Sequence, residues 1–112
     1  MNFEKYKNKN PSPIPPQKPR LKDDPTSDEV EVFLELIRRY EKDHTIYIER
    51  LQEYKRERFA LKEQFKKDLF DELNISENPK REILFEKAWD LGHDLGYSEV
   101  YSYAMDLIEL II

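Results

Sequence analysis

The sequence predicts an all-α fold with three parts: a disordered proline-rich N-terminal arm, one long heptad-patterned helix, and a C-terminal pair of short helices packed on the end of the long one. The 112 residues contain only two glycines, and a chain poor in the residue that tight turns favour is expected to have few turns. Six of the seven prolines lie between Pro11 and Pro25. Neither proline nor glycine occurs from residue 30 to residue 73.

The arm comprises residues 1–26, and the helical domain comprises residues 27–112. The stretch "NPSPIPPQKPRLKDDP" is expected to be extended and polyproline-II-like, because each proline removes a donor and restrains the residue before it. Pro13, Pro16 and Lys18 fit the pattern P-x-x-P-x-K, which Src-homology-type grooves bind. Two interpretations stay open: a solvated tail that contains prolines, or a segment that docks on a partner protein.

The long helix is predicted from about residue 28 to about residue 73, which makes it roughly 69 Å long. Thr26 and Ser27, followed by two acids, favour a helix start. Apolar side chains at heptad spacing form a coiled-coil-like seam. The short helices that follow cannot cover all of it, so we expect its first half to contact a partner. The predicted contact residues are Val30, Phe33, Ile37, Tyr40, Tyr47, Leu51 and Tyr54.

The two short helices are predicted over about residues 79–95 and 99–112. Asn78 and Pro79 favour the first start, and Ser98 favours the second. Ala88 and Gly92 make a notch in an apolar face beside Trp89, and Gly96 suits a left-handed helix end. The last helix is apolar over more than half its circumference and needs cover on two sides. We therefore assign its residues Tyr101, Met105, Ile108 and Ile112 to partner contacts.

The composition favours no enzyme class. The chain has no cysteine, no phosphate loop, and no nucleophile paired with a base. His44 lacks a second ligand one turn away, and His93 lies near two aspartates without a predicted pocket. We expect no catalytic, cofactor-binding or metal-binding residue, and no cofactor.

Charge and hydropathy limit the cellular locations and the classes of partner that the sequence allows. No stretch is apolar enough for a membrane span, and the N-terminus lacks a secretory signal, so a cytoplasmic protein is expected. The net charge of −5 divides into +5 over residues 1–22 and therefore −10 over the rest. An acidic body repels phosphates, so nucleic acid could bind only through residues 1–22.

A short C-terminal run carries a resemblance. Ala88-Trp89, Gly92-His93, Gly96-Tyr97 and Glu99-Val100, followed by Leu107 and Leu110, resemble a segment of small uncharacterised helical proteins of tailed phages and large DNA viruses. The resemblance covers residues 88–110. It implies a viral accessory or minor structural protein in the host cytoplasm or the particle, and it brings no known activity or functional residue.

These observations predict a non-enzymatic module for protein–protein interaction or assembly. Its partner would be a second copy, giving a homodimer, or a different protein. The alternative is a nucleic-acid-associated accessory factor that binds through its lysine-rich arm. The two differ in salt dependence, because phosphate binding weakens steeply with salt.

Overall fold

A computed structural model describes residues 1–109, and its regular elements are all helical. A 3-10 helix spans Phe3–Tyr6, and three α-helices follow: α1 over Ser27–Glu72, α2 over Pro79–Gly92, and α3 over Tyr97–Glu109. No strand occurs in this range. The predictions of one long helix and of a C-terminal pair packed together are confirmed. None of the helices in residues 1–109 has the length and apolar character needed to cross a membrane.

The chain forms two compact units. The core unit combines Met1–Asn8 with the chain from Arg58 onward, and the arm unit is Lys9–Glu57. Helix α1 is continuous and contributes residues to both.

The helix starts follow local hydrogen bonding. At the start of α1, the backbone N–H of Glu29 donates to Thr26 Oγ1 over 3.3 Å, and the Thr26 hydroxyl donates back to Glu29 Oε1 over 3.0 Å. At the start of α2, Asn78 Oδ1 accepts from the backbone N–H of Arg81 at 2.9 Å. Each side-chain oxygen satisfies a donor that lacks a partner inside the helix.

The junction between α2 and α3 differs in detail from the prediction. Helix α2 ends at Gly92 instead of Leu95, and α3 begins at Tyr97. Gly96 has φ of +130°, which glycine adopts readily. The N–H of Val100 donates to the Gly96 carbonyl over 3.2 Å, so the first turn of α3 already includes Ser98. Ser98 is therefore not the cap of α3.

The core unit contains all the fully buried side chains of residues 1–109. They come from the C-terminal part of α1, from α2, from α3 and from the N-terminal turn, and their exposed fractions are 1% or less. The set is Tyr6, Phe65, Leu69, Phe70, Phe85, Ala88, Val100, Ala104 and Ile108. Burial of these apolar surfaces is the main stabilising contribution to this unit.

Gly92 permits the close approach of α2 and α3. A Cβ atom placed on Gly92 would lie 2.8 Å from the backbone nitrogen of Val100 and 3.0 Å from its Cα. Any side chain there would collide with the α3 backbone. The absence of a side chain is what lets the two helices meet at this point.

The first eight residues do not belong to a disordered arm. Asn2 Oδ1 accepts from the N–H of Glu4 at 3.1 Å and starts the 3-10 helix. Tyr6 inserts between Phe65 and Tyr97, with ring centroids 5.1 and 5.4 Å away. The two aromatic residues of this turn, Phe3 and Tyr6, supply enough apolar surface to bind it to the core. Of the predicted arm, only residues 9–26 lie outside the core unit.

Candidate interaction surface on α1

The arm lies along α1 in antiparallel orientation within the arm unit. The N–H of Lys9 donates to the Glu57 carboxylate, and the Lys22 ammonium lies 2.7 Å from Glu29 Oε2. Thirteen residue steps therefore span the same length as twenty-eight residues of helix, which is about 42 Å. A polyproline II segment of thirteen residues covers about 40 Å. The two anchors thus require the arm to be extended.

Prolines face the helix at intervals of three residues. Pro13, Pro16 and Pro19 are half-buried, whereas their neighbours are exposed. Residues 10–14 share a groove with Arg50, Glu53, Tyr54 and Glu57. Residues 20–22 share another with the first turns of α1, including Val32, Phe33 and Leu36. In the predicted docking motif, Lys18 is exposed but Pro13 and Pro16 lie partly against the chain's own helix.

The seam predicted from the heptads is therefore not bare. Its members are half-buried within the arm unit: Val30, Phe33, Ile37, Tyr40, Tyr47, Leu51 and Tyr54. Of these, Phe33 and Tyr54 line the grooves that the arm shares with α1. This cover was not predicted, because a proline-rich and lysine-rich segment is expected to extend into solvent. The cover is incomplete, since no residue of Lys9–Glu57 is fully buried.

Large apolar side chains remain exposed on α1 in this unit. Val32 and Leu34 are 58% and 52% exposed, and Leu36, Ile46 and Ile48 are 37–43% exposed. Isolated exposed apolar residues are normal, whereas contiguous apolar patches are typical of contact surfaces. At about 100° per residue, Leu34 and Ile48 lie on one flank of α1, and Val32, Leu36 and Ile46 lie on another. None of these five residues was predicted as a contact, because none belongs to the predicted heptad seam.

One line of the predicted seam, which includes Ile37 and Leu51, runs beside a further heptad line. We call the two lines together the open stripe: Leu34, Ile37, Glu41, His44, Ile48, Leu51 and Lys55. At about 100° per residue, its mean direction lies about 135° around the helix axis from the residues that line the arm grooves. Leu34 and Ile48 recur fourteen residues apart on the further line. That spacing was a signal in the sequence that could have found the stripe.

The predicted contact residues of α3 have different surroundings. Ile108 is fully buried in the chain's own core, because α3 packs its apolar face on α2 and on the end of α1. It cannot reach a partner while this core is intact, so that prediction is wrong for Ile108. Tyr101 is half-buried with its ring 5.6 Å from Phe3, and burial raises its pKa. Met105 is half-buried, and Ile112 lies outside the described residues.

The residues predicted to pack helices lie at the α2–α3 contact. Ala88 and Gly92 are buried, and Trp89 is half-buried. The Trp89 ring stacks on His93 at 5.9 Å, and the Lys62 ammonium lies 5.1 Å from its centroid. Within residues 1–109, no group of three or more His, Asp or Glu side chains is placed to hold a metal ion.

Acidic groups within the chain engage several basic residues of the predicted nucleic-acid-binding segment. Lys5 lies 3.3 Å from Asp68, Lys7 lies 2.7 Å from Glu4, and Lys22 pairs with Glu29. In the described part of the chain, Lys9, Lys18 and Arg20 have side chains without an ion pair. Three of the six basic side chains in residues 1–22 are thus available to contact phosphate groups.

The fold and surface define a small helical protein with two units. One consists of the extended arm and the first part of α1 without a fully buried side chain, and the other is a packed helical core. The chain belongs to the family described as "Family of unknown function (DUF8546)", whose model matches residues 2–112. No curated protein and no solved structure matches the chain.

Proposed function

We propose that this protein is a non-enzymatic module for protein–protein interaction or assembly, and that exposed apolar side chains of α1 form its contact surface. The observation that supports this most is the contrast between the two units. Among residues 1–109, the core unit holds all nine fully buried side chains, whereas the arm unit holds none and exposes five large apolar residues on α1. Burying these five side chains against a partner would stabilise the complex by about 25 cal/mol per Å² of apolar area removed from water.

The resemblance to phage and viral helical proteins is consistent with such a role, as an accessory or minor structural protein in the host cytoplasm or the particle. The packed core unit would stabilise the fold of the chain. The arm and α1 would supply the surface that the partner meets.

Site-specific photo-cross-linking in the cells that carry the protein tests this proposal. A photoreactive residue in place of Leu34 is expected to give protein adducts. The same residue in place of Glu49, an exposed polar position on the same helix, is the matched control. We expect Ile37→Glu, which lies beside Leu34 on the same helix, to reduce the adducts at position 34 at least fivefold, and Gln52→Glu, which adds the same charge at an exposed polar site, to leave them unchanged. Absence of any adduct specific to position 34 would refute the proposal.

A further inference from the structure

We infer that the partner of α1 is a second copy of this chain, bound in antiparallel orientation through residues 41–55 of the open stripe with Ile48 at the two-fold axis. This inference rests on the proposed function and names its partner. It follows from where the arm lies, from the exposed apolar residues of the stripe, and from the positions of its two charges.

The arm leaves one flank of α1 for a second helix. The grooves that it lines contain Val32 and Leu36 near the start of α1 and Tyr54 further along. The open stripe lies on a different flank of the helix, so a second copy can reach it without displacing the arm. Within the stripe, Leu34 and Ile48 are 52% and 37% exposed.

The charges of the stripe are complementary to themselves only in an antiparallel pair. In a two-fold arrangement about Ile48, residues equally distant from it face one another. Glu41 and Lys55 each lie seven residues from Ile48. Glu41 of one copy therefore faces Lys55 of the other, and the symmetry repeats the pair. A parallel, in-register pair would place each charge near its own copy, which is unfavourable.

Neither charge is engaged within its own chain. Among the described residues, the Glu41 carboxylate and the Lys55 ammonium form no ion pair, and both side chains are exposed. The Thr45 hydroxyl donates to the Glu41 backbone carbonyl at 3.0 Å and does not engage the Glu41 carboxylate. Both groups are thus available to a second copy, and the Ile48 side chains would meet between them.

Sedimentation equilibrium of the purified full chain over a concentration series tests the dimer. We expect a mass of twice 13.6 kDa at the upper concentrations. Ile48→Glu should raise the dissociation constant at least tenfold, because it places two carboxylates at the axis. Glu41→Lys and Lys55→Glu should each raise it several-fold, and the double variant should restore it. Glu49→Lys, an equal charge reversal outside the stripe, should leave it unchanged.

Cysteine cross-linking tests the orientation, since the natural chain contains no cysteine. A mixture of Glu41→Cys and Lys55→Cys chains is expected to give mainly the mixed disulfide on mild oxidation. Mainly like-with-like disulfides would overturn the antiparallel arrangement.

The two proposals fail in different ways. A purified chain that stays monomeric at all concentrations would overturn the dimer. If position 34 then still gave adducts with another protein in cells, the interaction function would stand without it.

Discussion

Asp68 is the residue through which the N-terminal turn is bound to α1. Its Oδ2 accepts from the Tyr6 hydroxyl at 2.6 Å and lies 3.3 Å from the Lys5 ammonium, while its Oδ1 accepts from the Gln64 amide at 2.8 Å. The hydrogen bond from Tyr6 is the main cause that lowers the pKa of Asp68. Burial, followed by the same bond, raises the pKa of Tyr6. Both shifts indicate that the ionised carboxylate and the neutral phenol are the stable pair.

This pair predicts a pH-dependent stability. Because the pKa of Asp68 is lower in the folded chain, its contribution is fully present above the pKa of the unfolded state, near 3.9, and is lost as the pH falls through the folded value. Asp68→Asn should lower the free energy of unfolding by about 1 to 2 kcal/mol at neutral pH. The difference from wild type should shrink towards zero in acid. Urea unfolding at both pH values measures it, and an undiminished difference in acid would contradict the assignment.

Gly92 is a second single position with a large expected effect. Gly92→Ala places a Cβ 2.8 Å from the Val100 nitrogen, which is backbone and cannot move aside alone. We expect a loss of about 1 to 3 kcal/mol in the free energy of unfolding, in the range of overpacked cores. Lys87→Ala, at an exposed position of the same helix, is the control and should change stability by less than about 0.5 kcal/mol. Equal effects of the two substitutions would exclude the clash as the cause.

At the scale of the elements, the helices could be predicted because their signals are local. Asn78 and Pro79 predicted the start of α2, and the absence of proline and glycine predicted that α1 is one continuous helix. The reversal after α1 uses Asn74 at φ of 54°, with the Ile75 N–H bonded to the Phe70 carbonyl at 3.1 Å. Asparagine tolerates this conformation but does not require it. The sequence therefore did not predict the geometry of this turn.

The position of the arm could not be predicted, because it depends on contacts between residues far apart in the chain. Tyr6 meets Asp68 and Lys9 meets Glu57. Composition alone assigns a proline-rich and lysine-rich segment to solvent. The proposed contact surface differs from the predicted seam for the same reason. The arm covers one flank of that seam and leaves the open stripe uncovered on the other flank.

The docked arm predicts a contrast between two sets of prolines. Pro13 and Pro16 are half-buried, whereas Pro11 and Pro15 are exposed. Replacing Pro13 and Pro16 by serine should loosen the arm, both by removing contacts and by increasing the freedom of the undocked chain. Trypsin cleavage after Arg20 should then be several-fold faster. The control, serine at Pro11 and Pro15, removes the same number of prolines, and an equal acceleration there would show that contact with α1 is not the cause.

At the scale of the whole molecule, charge decides between the interaction module and the nucleic-acid alternative. The chain carries −5 overall, and intramolecular acids occupy Lys5, Lys7 and Lys22. We expect no measurable binding to DNA or RNA at physiological salt. If binding does occur, Lys9, Lys18 and Arg20 should account for it, with a slope of log affinity against log salt of about −2 to −3. Fluorescence anisotropy with labelled oligonucleotides measures this, and replacing the three residues by glutamine preserves the Tyr6 contacts that a deletion would remove. Tight binding that survives the triple substitution would place the phosphate contacts outside these three residues. It would contradict both the expected absence of nucleic-acid binding and the alternative in which the arm binds nucleic acid.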